Sequence, residues 1–165
     1  MDVAQEIVDA ATVGDDMRLR EMLEDDAAMA NVYSPDGWTP LHLASHFGHI
    51  NAARWLLGAG ADVHARSKND LANQPLHAAA AGQAPTDLLA LLLDAGADVN
   101  ARQRGGFTPI QATAQNGDLA ATQLLLSRGA DVQARTDSGQ TALSFALEGE
   151  HQAVADLLRA RGATE

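Results

Sequence analysis

Cysteine is absent from this chain, so it can hold no disulfide framework, thiolate metal site or thiol nucleophile. Aromatic residues are scarce: they make up 4% of a chain that is 46% apolar. The apolar mass is carried by Ala and Leu, which predicts helices packed closely through small side chains. Basic residues are also in the minority, 11 against 22 acids, for a net charge of −11 at pH 7. Such a balance repels a phosphate backbone, whose neutralisation by Lys and Arg normally dominates affinity, so nucleic acid is not an expected partner. The overall field favours a basic or neutral partner instead. No stretch approaches the ~20 apolar residues of a membrane span. Met1 to Val13 carries acids and no apolar run of signal-peptide length, so no membrane association is expected and a cytoplasmic location is. The 165 residues suffice for one domain with a core and not for two of full size.

Internal repetition dominates what is present. Gly37-Trp38-Thr39-Pro40-Leu41-His42-Leu43-Ala44 returns as Gln74-Pro75-Leu76-His77-Ala78-Ala79, as Gly106-Phe107-Thr108-Pro109-Ile110-Gln111-Ala112, and as Gly139-Gln140-Thr141-Ala142-Leu143-Ser144. Each copy is answered downstream by a Leu-Leu pair and a Gly-Ala step, as in Leu92-Leu93-Asp94-Ala95-Gly96-Ala97-Asp98-Val99. The steps Pro40 to Pro75, Pro75 to Pro109 and Pro109 to Ala142 are 35, 34 and 33 residues. Two motifs in fixed order, four times over, resemble the ankyrin repeat, with its period of about 33 and its T-P-L-H-x-A signature. The resemblance covers nearly the whole chain. It implies an all-α solenoid of stacked helix-turn-helix units with hairpin loops, in one domain with repeats near 1–33, 34–66, 67–102, 103–135 and 136–165.

The local chemistry agrees with that reading. Thr39, Thr108 and Thr141 sit where N-caps belong, and Pro40 and Pro109 follow at the first helical position, where a missing N–H costs nothing. Gly60, Gly96, Gly129 and Gly162 stand where a helix closes in a left-handed residue. Residues before Asp36 form a degenerate first repeat on Ile7, Ala10, Ala11, Leu19, Met22 and Leu23. Residues 1–26 hold nine acids against Arg18 and Arg20, seven of the net eleven negative charges. This reads as the polar cap that a solenoid end requires, with an acidic docking site as the alternative. Two insertions interrupt the third repeat, one within Ser67 to Asn73 and one near Gly82-Gln83-Ala84-Pro85, where Thr86 or Asp87 can cap the next helix. They lie in loops, either on a binding face or as neutral length variation.

Residues able to do chemistry are few. His46 and His49 lie three apart around a helix end without a third ligand, so no metal is expected. Asp62, Asp98 and Asp131 recur with the period and read as turn acceptors. No phosphate-binding glycine loop, dinucleotide fingerprint or nucleophile elbow is present, so no catalytic residue, no cofactor and no enzymatic activity are expected. His42 and His77 occupy the signature histidine, which the resemblance implies is a structural tie between repeats.

The resemblance also implies that a protein partner is bound in a concave groove formed by hairpin tips and the exposed positions of the first helices. Carried onto this sequence, the partner-binding set is Tyr33, Trp38, His46 and Phe47; Arg66, Lys68, Asp70 and Asn73; Arg102, Arg104, Phe107, Gln115 and Asn116; and Arg135, Asp137 and Gln140. Arg66, Arg102 and Arg135 hold one equivalent position in three successive repeats and predict a ladder of charge on the hairpin edge. The simpler reading is that exposed hairpins need charge and that guanidinium stems cover backbone. Trp55 and Phe145 fall at core positions of helices, whereas Trp38 and Phe107 read as apolar anchors for a partner or as packing over the next hairpin. The expected function is a monomeric, non-catalytic adaptor or inhibitor. The alternative is a structural or regulatory unit acting by self-association or within a larger complex.

Overall fold

The computed structural model describes residues 2–164. Among them are ten α-helices, two short 3-10 turns and no strand. The helices come in five pairs: α1 (Val3–Val13) with α2 (Asp16–Asp25), α3 (Pro40–His46) with α4 (Ile50–Gly58), α5 (Pro75–Ala81) with α6 (Thr86–Asp94), α7 (Pro109–Gln115) with α8 (Leu119–Ser127), and α9 (Ala142–Glu148) with α10 (Gln152–Ala160). Helices α1, α3, α5, α7 and α9 pack in succession as an inner layer, and α2, α4, α6, α8 and α10 form the outer one. The core runs between the layers. Its largest fully buried side chains are Leu and Ile, from Ile7 and Leu19 through Leu41, Leu76, Leu88 and Ile110 to Leu158. Because each pair buries apolar surface only against its neighbours, the core is continuous along the stack without any long-range closure.

The signature residues start the inner helices as expected. Thr39 and Thr141 are N-caps whose side chains accept from the backbone N–H of His42 and Ser144, and Pro40, Pro75 and Pro109 open α3, α5 and α7. Asp62, Asp98 and Asp131 each accept a backbone N–H two residues on, from His64, Asn100 and Gln133, at 2.9 Å. Part of the N-terminal acidity is structural too, since Asp2, Asp15 and Asp26 cap helix starts. The second insertion differs from its expectation. Pro85 is the N-cap of α6 without a side-chain bond, so neither Thr86 nor Asp87 caps it. A Pro in extended backbone presets the entry angle there, and the negative charge of Asp87 in the first turn favours the helix dipole.

Two further histidines hold the inner and outer helices in register. His49 meets the carbonyl of Thr12 through Nε2 at 3.0 Å, and His151 meets that of Gln115 at 3.0 Å. The facing residues are Gly14 and Gly117, at φ +73° and +69°, where an added Cβ would come within 2.6 and 2.5 Å of the imidazole rings. Close approach and positive φ together exclude any side chain at either place. His46 and His49, three apart around the end of α3, are both half-buried and engaged with backbone carbonyls, His46 Nδ1 lying 3.3 Å from that of Ala78.

Candidate functional site

Every repeat boundary beyond the first is tied by a buried polar side chain at the same helical position. His42 Nδ1 accepts from the Thr39 N–H at 3.3 Å, which leaves Nε2 protonated to donate to the Asn73 carbonyl at 3.0 Å. His77 repeats the arrangement from Gln74 to the Ala101 carbonyl at 2.9 Å. In the next repeat Gln111 does it with an amide: Oε1 accepts from the Thr108 N–H at 2.8 Å and Nε2 donates to the Ala134 carbonyl at 2.9 Å. Burial lowers both imidazole pKa values, against the opposing pull of the carbonyl bonds, that of His77 to about 4. Both rings are therefore neutral at pH 7, as their donor and acceptor roles require.

A second chain of bonds runs along the hairpins. The Tyr33 hydroxyl donates to the Arg66 carbonyl at 3.2 Å, Arg66 Nη1 to the Arg102 carbonyl at 3.0 Å, and Arg102 Nη1 to the Arg135 carbonyl at 3.0 Å. Arg135 Nη1 donates within its own hairpin to the Gly139 carbonyl at 2.9 Å, as Arg66 Nη1 also does to that of Ala72 at 3.0 Å. The hairpin tips join through single backbone bonds, from Lys68 to Gly37, Arg104 to Leu71 and Asp137 to Gly105, at 2.8–2.9 Å. Remaining charges pair across tips: Arg102 with Asp137 and Arg104 with Asp70, each at 3.2 Å, while the Lys68 ammonium lies 3.9 Å from the Tyr33 ring centroid. The ladder inferred from the recurring arginines exists, and its guanidinium groups already spend hydrogen bonds on joining repeats.

Other members of the partner-binding set lie apart from one another. Asn73 is buried at 3% exposure, held by Ser67, so its amide does not present to a surface. Phe107 is half-buried against Phe145, with ring centroids 5.7 Å apart. Asn116 donates to the Ala80 carbonyl at 3.2 Å, and Gln140 reaches Glu148 at 3.4 Å. Gln115 is exposed. Trp55, read as a core residue, is 44% exposed on the outer face of α4, where Arg20 of α2 covers its ring at 5.8 Å. Ala52, Ala53 and Leu56 form the buried stripe of that helix instead. The Leu-rich run around Trp55 hid this, because neighbouring positions on so short a helix divide between core and solvent.

Trp38, His46 and Phe47 are brought together. Trp38 meets His46 edge-on at 5.3 Å between centroids, and His46 meets Phe47 edge-on at 5.0 Å. Phe47 is 52% exposed. These rings form one wall of a cleft of about 570 Å³ at the N-terminal end of the concave surface. The rest of its lining comes from Leu43, from Gln5, Val8, Asp9 and Thr12 of α1, and from the first hairpin, Ser34 to Asp36. The hairpin is pinned by Trp38, whose N–H donates to Ser34 Oγ at 3.1 Å while its carbonyl accepts from the Ser34 N–H at 2.8 Å. Sequence reasoning missed the contribution of α1. Its signal was present: Gln5, Val8, Asp9 and Thr12 fall at helical spacing on one stripe, beside the core stripe of Ile7, Ala10 and Ala11. Among the described residues, no group of three or more His, Asp or Glu side chains is arranged to hold a metal ion.

Comparison with known proteins agrees with this architecture. A family model described as ankyrin repeats in three copies matches residues 76–164, and a single ankyrin-repeat model matches 36–68. The neurogenic locus Notch protein of Drosophila melanogaster is 35% identical over 97 residues, 59% of this chain and 4% of that protein. Ankyrin repeat and SOCS box protein 5 of Bos taurus is 40% identical over 78 residues, 47% of this chain and 22% of that protein. Neurogenic locus notch homolog protein 2 of Homo sapiens is 37% identical over 79 residues, 48% of this chain and 3% of that protein. The chain thus spans a small part of each of these relatives. Ankyrin repeats are in general non-catalytic modules of protein–protein interaction. With its helix pairs, inter-repeat ties and matched motifs taken together, the chain belongs to the ankyrin-repeat family.

Proposed function

We propose that the protein binds one protein partner, without chemistry, at the N-terminal end of its concave surface, with Trp38 and Phe47 as apolar anchors. The observation that carries this reading is the aromatic wall of Trp38, His46 and Phe47 over a cleft of about 570 Å³, within the ~300–1,000 Å³ of ordinary ligand clefts. A half-exposed Phe beside an edge-packed Trp is apolar surface left open, and aromatic residues dominate the energetic centres of interfaces. The hairpins further along extend the surface and serve mainly to hold the repeats. A role as adaptor or as inhibitor follows from whatever the partner does once gripped.

The test is affinity capture from the native host with wild type and Trp38→Ala in parallel, followed by kinetics on the protein recovered. Trp38→Ala is expected to weaken binding by about 2 kcal/mol, mostly through faster dissociation. A partner that binds both proteins with equal kinetics moves the site elsewhere on the molecule.

A further inference from the structure

The charge around the cleft narrows what enters it. Asp9 of α1 and Asp36 of the first hairpin both line it, and no lysine or arginine does. Lys68, on the next hairpin, lies over Tyr33. Both aspartates are exposed, and among the described residues no basic side chain pairs with either; Asp9 accepts only from the Gln5 amide, at 2.8 Å. The same cleft is lined by Trp38 and by the apolar side chains of Val8, Leu43 and Phe47. An aromatic face next to uncompensated carboxylates attracts a cation twice over, through the ring quadrupole and through charge. A negative wall also speeds encounter with positive partners, and the whole chain, at −11, adds to the same field.

Resting on the binding reading above, we infer that the cleft receives a protein segment bearing a lysine or arginine beside an apolar side chain. The apolar side chain packs on Phe47 and Leu43, and the cation lies by Trp38 with Asp9 and Asp36 as its counter-charges. An acidic or purely apolar segment would leave both carboxylates facing low-dielectric surface without a partner, which is unfavourable. The cleft has room for a few side chains, so a short extended segment is the matching size rather than a folded face.

A displayed library of random short peptides, selected on the full-length protein, tests this. Recovered peptides would be measured by fluorescence anisotropy against wild type, the double variant Asp9→Asn/Asp36→Asn, and Trp38→Ala, at low and physiological salt. Neither aspartate side chain makes a contact that folding needs, so the double variant retains its fold, to be checked by circular dichroism. The expected result is a shared Lys or Arg beside an apolar residue, with binding weakened about tenfold in the double variant and about thirtyfold in Trp38→Ala, and a salt dependence that the double variant loses. Peptides sensitive to Trp38→Ala but lacking a cation, or indifferent to the double variant, overturn the cationic segment and leave the cleft as the site. Peptides indifferent to all three substitutions, or no enriched peptide at all, overturn both.

Discussion

The two ends of the concave surface use their polar and aromatic residues differently. Toward the C-terminus, hairpin residues are turned inward on the stack: Arg66 and Arg102 donate to the next hairpin, Arg102 and Arg104 pair with Asp137 and Asp70, and Phe107 lies against Phe145. Toward the N-terminus, His46 meets Trp38 and Phe47 edge-on beside an open cleft, and Asp9 and Asp36 have no basic partner among the described residues. Residues of similar type thus serve cohesion at one end and remain unspent at the other. The difference follows from the fold's nearest-neighbour character, in which each hairpin is satisfied by the one after it. The first hairpin alone faces the divergent cap helix α1 across a cleft instead of a copy of itself.

The comparison can be broken most forcefully by removing the neighbour. Truncation after Arg135 removes α9 and α10, takes from Gln111 the Gln140 carbonyl while leaving that of Ala134, and exposes the apolar side of α7 and α8. The expected outcome is aggregation or a melting transition that loses cooperativity, followed by circular dichroism and light scattering; an undiminished melting temperature in a monomer would contradict the nearest-neighbour account. Next in size is acid. His42 and His77 are neutral in the fold, whereas in the unfolded chain an imidazole takes up its proton near 6.5. Stability is accordingly whole above pH 6.5 and declines as pH falls toward 4, with His77 contributing roughly 3 kcal/mol of that loss. His77→Gln, which copies the tie that Gln111 makes one repeat later, keeps the bond to the next repeat and should flatten the pH dependence of urea unfolding between those limits.

Phe107→Ala and Arg102→Ala sharpen the contrast further. The first loses half-buried packing on Phe145 and should cost about 2 kcal/mol of stability, with binding at the N-terminal cleft unchanged. The second removes a bond to the Arg135 carbonyl and an exposed ion pair and should cost about 1 kcal/mol, read by chemical denaturation. The smallest effect is expected at the other end, where Asp9→Asn should leave stability within about 0.5 kcal/mol, as surface changes do. Should Arg102→Ala prove as silent as Asp9→Asn, the hairpin arginines are not ties between repeats.

Much of this was legible before the structure. The period, the Thr-Pro helix starts and the Asp turn acceptors follow from recurrence, because a residue that returns every 33 to 35 positions meets the same neighbours each time, and the His ties from the resemblance to ankyrin repeats. Even the arginine ladder was visible as a repeated position. Its destination was not, since a guanidinium on a hairpin edge reaches solvent and a carbonyl about equally well on sequence spacing alone. Trp55 shows the same limit on a nine-residue helix, where only packing decides which of its sides is buried.

The amino-acid sequence by itself determined the solenoid, its five helix pairs, the Thr caps and Pro starts of the inner helices and the ties made by His42 and His77, because all of these depend on contacts within one repeat or with the next. Tertiary structure alone decided that α1 and the first hairpin line one cleft, that Trp38, His46 and Phe47 come together in it, and that Asp9 and Asp36 both line it. Those residues come from a degenerate repeat and its regular neighbour, so no shared period relates them, and only the stacking of one helix pair on the next sets the distance between them.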